Sequence, residues 1–111
     1  MKANELMIGD WVIGYSGEPF EIGIIDPDFL YWDEIQPIPL TKDILEKNDW
    51  KRLTSPEGED VFVLDLGTTV LWWFVKDKEL VLIGGSHLKI EYVHQLQHAL
   101  RLCGIEKEIM L

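Results

Sequence analysis

Apolar and polar residues alternate along most of this chain, and only near its end does the period change from strand to helix. Trp11-Val12-Ile13 reads as a first strand. Phe20, Ile22 and Ile24 alternate with Glu21 and Gly23 in a second, and Phe29–Asp33 reads as a third. Ser16-Gly17-Glu18-Pro19 and Asp26-Pro27-Asp28 supply the turns, which predicts a three-stranded antiparallel meander. Ahead of it, Asn4 can cap a helical turn over Glu5–Ile8 that Gly9 ends with positive φ.

Each proline in Ile35-Gln36-Pro37-Ile38-Pro39-Leu40 biases the residue before it away from the helical region, so this segment is expected to be extended. Thr41 suits the N-cap of a short helix over Lys42–Lys47, with Leu40 and Leu45 placed for a hydrophobic staple and Asn48 for a left-handed exit. Thr54–Glu59 is a polar loop. Three strands follow at Asp60–Leu66, Thr69–Lys76 and Leu80–Ile83, with a short one at His87–Ile90. The Thr69–Lys76 strand is apolar on both faces and belongs in the middle of a sheet. Glu91–Cys103 then switches to helical spacing. Tyr92, Val93, Leu96, Ala99, Leu100 and Cys103 form its apolar stripe, Leu102 falls outside it, and Glu91, His94, His98 and Arg101 share the polar side. Gly104 is the C-cap, and Ile105–Leu111 is an edge strand or a tail.

The expected architecture is therefore α+β: a twisted, mainly antiparallel sheet with one C-terminal amphipathic helix and one short connecting helix. With 111 residues, a single domain is expected, divided into an acidic N-terminal meander (1–34), an extended segment with the short helix and loop (35–59), and a second meander plus the C-terminal helix (60–111). No segment nears the ~20 apolar residues that cross a bilayer, and the N-terminus lacks a signal-peptide run. A cytoplasmic, soluble protein is expected, with no membrane partner. Cys103 is the only cysteine, so no intramolecular disulfide forms, and its place on the apolar stripe at a helix C-terminus disfavours a thiolate.

Charge sharpens the picture. Twenty acids oppose ten bases, a net charge of −10. Between Ala3 and Thr41 stand eight carboxylates (Glu5, Asp10, Glu18, Glu21, Asp26, Asp28, Asp33, Glu34) and no lysine or arginine. A folded surface of one sign repels nucleic acid and lipid headgroups and attracts basic partners. Direct nucleic-acid binding is not expected, since no cluster of Lys and Arg exists to meet phosphates. Glu18, Glu21, Asp26, Asp28, Asp33 and Glu34 are the candidate residues for docking a basic protein. Two other readings of the same stretch are a purely solubilising surface and imitation of the DNA backbone toward a DNA-binding protein.

Glu91, His94 and His98 recur at i, i+3 and i+7, the spacing of a helical metal site, and carry the alternative of a metal-dependent hydrolase. Gln95 stands where the zinc-peptidase pattern has glutamate, and a polar helix face is the plainer reading. Ser86-His87 with Asp77 lacks a nucleophile elbow, and Gly84-Gly85-Ser86 is too short to cradle phosphate, so no cofactor is expected. The acids around Asp26-Pro27-Asp28 miss the spacing of a calcium loop. Of the adjacent Trp72 and Trp73, which point to opposite faces, at least one is expected in the core.

Three stretches, Met1-Lys2-Ala3-Asn4-Glu5-Leu6-Met7-Ile8-Gly9-Asp10-Trp11-Val12, Ile38-Pro39-Leu40-Thr41 and Tyr92-Val93-His94-Gln95-Leu96-Gln97, come in the order found in a group of small uncharacterised proteins from Bacteroidetes bacteria and their phages or mobile elements, and the chain resembles that group. The resemblance carries over no catalytic residue. It implies a bacterial cytoplasmic setting and an accessory role, and it draws attention to His94, Gln95 and Gln97. Separately, Ile8-Gly9-Asp10-Trp11-Val12 is similar to the opening strand of SH3-like small barrels, which implies a curled, partly barrel-like N-terminal meander.

Overall fold

Alternation becomes sheet wherever one face of the strand can be buried. The computed structural model describes residues 5–14, 16–23, 32–54, 56–67, 69–82 and 87–111. These residues form an α+β fold with two antiparallel sheets and two α-helices, and neither sheet closes into a barrel. The chain divides into two compact units, Met1–Pro39 with Tyr92–Ile109, and Leu40–Glu91 with Met110–Leu111.

The first unit holds β1 (Trp11–Ile13), β2 (Pro19–Glu21) and β3 (Gln36–Pro37) in the order β2-β1-β3. Trp11 pairs with Glu21, Val12 with Phe20 and Pro37, and Ile13 with Pro19 and Gln36. Both edge strands contain a proline, which an edge tolerates because one side of it needs no N–H donors. The third strand expected over Phe29–Asp33 is not formed at its described end: Trp32–Glu34 is a 3-10 turn, and the third place in the sheet goes to the proline-bearing segment after it. Phe29 to Tyr31, like Asn4, lie outside the described residues. Of the helical turn expected over Glu5–Ile8, only Glu5 is in 3-10 conformation; the chain turns through Met7–Asp10 instead, with Gly9 at the expected positive φ, +91. Leu6, Val12, Ile22 and Ile35 form one buried cluster, flanked by Trp32.

Helix α2 (Val93–Leu102) lies against β1 and buries Val93, Leu96, Ala99 and Leu100. Sequence position groups this helix with the second meander, yet its contacts place it in the first unit. The Pro39–Tyr92 bridge and the bond from Val93 N–H to Ile38 O hold its N-terminus beside the extended segment. At its other end Ile105 N–H reaches Leu100 O and Gly104 N–H reaches Arg101 O, a Schellman closure made with Gly104 at φ +71. Cys103 is exposed at this end rather than buried, because the helix and its stripe stop at Leu102.

The second unit is α1 (Lys42–Lys47) and a five-stranded meander, β4 (Lys51–Thr54), β5 (Asp60–Asp65), β6 (Val70–Phe74), β7 (Glu79–Val81) and β8 (His87–Lys89), in that spatial order. Thr41 Oγ1 accepts from Ile44 N–H as the expected N-cap, and Leu40 and Leu45 are buried. Asn48 does not take the left-handed exit, which falls to Asp49 at φ 71. Its amide instead donates to Ile44 O and Met110 O and accepts from Met110 N–H, a better use of a buried polar side chain. Strand β6 is central, as its two apolar faces require. Trp73 is buried and donates its indole N–H to Ile90 O, while Trp72 is half-buried on the other face. Among the described residues no helix is long and apolar enough to cross a membrane.

Candidate functional site: a buried carboxylate under α2 and the groove beside it

The polar side of α2 is not a free surface. The Met7–Asp10 turn delivers the Asp10 carboxylate beneath it, with no solvent exposure, and Met7 N–H donates to Oδ2 at 2.7 Å. His98 Nε2 lies 2.6 Å from Oδ2, and Arg101 Nη1 donates to Oδ1 at 2.9 Å. One turn along, Gln97 accepts from Trp11 N–H at 2.9 Å and donates to Gly9 O at 2.9 Å. The helix is thus fastened to the first strand by groups almost ninety residues apart in sequence. Such a buried pair holds register; it adds stability only because each charge has partners in place.

Gly9 is needed here twice over. Its φ of +91 is strained for any residue with a side chain, and a Cβ there would sit 3.1 Å from Arg101 Nη2.

His94 is 6% exposed, stacks on Tyr92 with ring centroids 6.0 Å apart, and meets His98 edge-on at 5.7 Å. Burial pushes its pKa below the ordinary histidine value, and the neighbouring His98 adds to this against the opposing pull of Asp10 and Glu5. Its Nδ1 is buried without a hydrogen-bond partner among the described residues. Gln95 Oε1 accepts from Tyr92 N–H at 3.2 Å, at the helix start.

Beside α2 opens a groove of about 620 Å³, walled by Gln97, Leu100 and Arg101 on one side and by the Gly104–Ile109 segment on the other. Gly9, Trp11 and Glu21 complete its lining. Trp11 donates its indole N–H to Ile109 O at 3.0 Å, which ties that segment to β1.

The expected site residues fall into separate places. Glu18, Glu21, Asp33 and Glu34 are exposed, and among the described residues none of them makes an ion pair. Because Ile13 pairs with both Pro19 and Gln36, Glu18 and Glu34 approach the same end of the three-stranded sheet, whereas Glu21 stands opposite Trp11 at the other. Asp26 and Asp28 lie outside the described residues. His94 and His98 are one turn apart on α2, but Glu91 precedes the helix, and its carboxylate is 3.6 Å from Lys89 Nζ. Among the described residues no three His, Cys, Asp or Glu side chains are grouped to hold a metal ion. His87, of the weak Ser86-His87-Asp77 pattern, has its Nδ1 3.3 Å from Glu79 Oε2.

Asp10 and Gln97 are the residues whose roles the one-dimensional pattern hid. The spacing of His94, His98 and Arg101 placed them on one face; nothing local said that a carboxylate from the chain's start would meet that face. Comparison with protein-family models, with curated proteins and with solved structures finds no match.

Proposed function

We propose that this protein is a non-enzymatic interaction module that presents an acidic surface to a basic protein partner. The observation that carries this reading is the separation of charges. Glu18, Glu21, Asp33 and Glu34 are exposed and make no ion pair among the described residues, while the cations seen in ion pairs are engaged elsewhere. Lys42 and Arg52 hold Asp60, Lys76 lies by Glu59, Lys89 by Glu91, and Arg101 by the buried Asp10. Uncompensated carboxylates on a chain of net charge −10 produce a field that steers positively charged partners and raises their association rate. The bacterial accessory role that the sequence resemblance implies accords with this reading.

The test is capture of partners by the wild type and by a variant carrying Glu18→Gln, Glu21→Gln, Asp33→Asn and Glu34→Gln, each at low and high salt. Specific partners are expected to be basic, to be lost near 1 M salt where screening is severe, and to be lost by the variant at low salt. Partners retained unchanged under both conditions overturn the proposal.

A further inference from the structure

We propose that the groove beside α2 seats a lysine- or arginine-bearing segment of the partner, one basic side chain lying along Trp11 with its charged head among Glu21, Glu106 and Glu108. The inference rests on the acidic-interaction reading above and gives that reading a seat with shape. At about 620 Å³, the groove falls within the range of about 300–1,000 Å³ usual for ligand sites.

Its charge selects the occupant. Glu21, Glu106 and Glu108 line it against Arg101 and Lys107, and the Arg101 guanidinium already donates to the buried Asp10. With three carboxylates against two cations, this lining on balance repels an anion and attracts a cation. The half-buried Trp11 supplies an aromatic wall, which suits the alkyl stem of a long basic side chain. The groove has no basic lining beyond Arg101 and Lys107 to accommodate a phosphate-bearing ligand.

The experiment follows the Trp11 indole N–H signal and the backbone amides of 104–109 by two-dimensional NMR of the full chain, the indole being assigned with Trp11→Phe. Hexa-arginine and hexa-glutamate peptides are titrated separately at low salt. Hexa-arginine is expected to shift these signals, and the Glu106→Gln/Glu108→Gln variant to weaken the effect roughly three- to tenfold, the range for two partly screened ion pairs. A Glu57→Gln variant, at an exposed carboxylate of the second unit, should leave the same signals moving as in the wild type. Shifts confined to the neighbourhood of Glu18, Asp33 and Glu34 overturn the groove inference while the acidic-module reading stands. No response to hexa-arginine anywhere overturns both. Movement of the Trp11 signal by hexa-glutamate instead would make the groove an anion seat and also overturn it.

Discussion

Asp10 is held by Arg101, His98 and a backbone donor, and its carboxylate is wholly enclosed, so replacing it does more than delete contacts. Asp10→Asn leaves the Arg101 charge without its counter-ion. Arg101 is partly exposed and regains some water, so a loss of about 3 kcal/mol, toward the low end for breaking a buried pair, is expected in urea unfolding. A loss under about 1 kcal/mol would mean that the clamp contributes little. His94 makes a prediction in pH. The folded protein holds this ring neutral below the pH at which an unfolded histidine takes up its proton, near 6.5. Between those points the unfolded chain binds more protons, so stability is complete above about pH 6.5 and falls as the pH drops toward the lowered folded value. Unfolding measured from pH 8 to pH 5 should show this decline, and His94→Phe should flatten part of it; an unchanged slope in the variant would assign the decline to other groups.

Among the elements, α1 was legible from its ends: Thr41 caps it as the residue type demands, and Lys42–Lys47 is the helix. Its exit was not, because the choice between a left-handed Asn48 and a bridging one depends on Met110, far along the chain. Asn48→Ala removes bonds to Ile44 and to both backbone groups of Met110, and about 2 kcal/mol should be lost. Deleting Met110 and Leu111 removes two of the same bonds. The two changes together should therefore cost clearly less than their sum in a double-mutant cycle, and additivity would show that the Asn48–Met110 bonds carry no energy. Strand β6 was readable because two apolar faces demand a central place. Strand β4 was not: Lys51–Thr54 is exposed along its whole length, so no alternation betrays an edge strand whose stability comes from pairing with β5.

For the molecule as a whole, charge acts without deciding the fold. Neutralising Glu18, Asp33 and Glu34 together should change unfolding free energy by less than about 0.5 kcal/mol per site, as for exposed residues that make no ion pair, as these make none among the described residues. The same variant should slow association with a basic peptide, and the wild-type rate should fall steeply with ionic strength. Stopped-flow rates that are independent of both salt and these substitutions would remove the electrostatic role. Asp60, held by Lys42 and Arg52, shows the opposite use of a carboxylate: hydrogen bonds from those cations lower its pKa. Both kinds of acid look alike in a charge count.

The sequence alone determined what depends on near neighbours and on periodicity: antiparallel strands, the Thr41 cap, the Gly104 stop, the amphipathic Val93–Leu102 helix and the base-free acidic stretch. These follow from backbone dihedrals, side-chain period and simple charge, which act within a few residues. Tertiary structure decided which faces meet. It brought Asp10 to His98 and Arg101, buried His94 on the side expected to be polar and Gln97 with it, exposed Cys103, and put α2 with the first strands. A hydrogen bond or ion pair across ninety residues depends on how the packed elements are aligned, and the composition of either partner carries no record of that alignment.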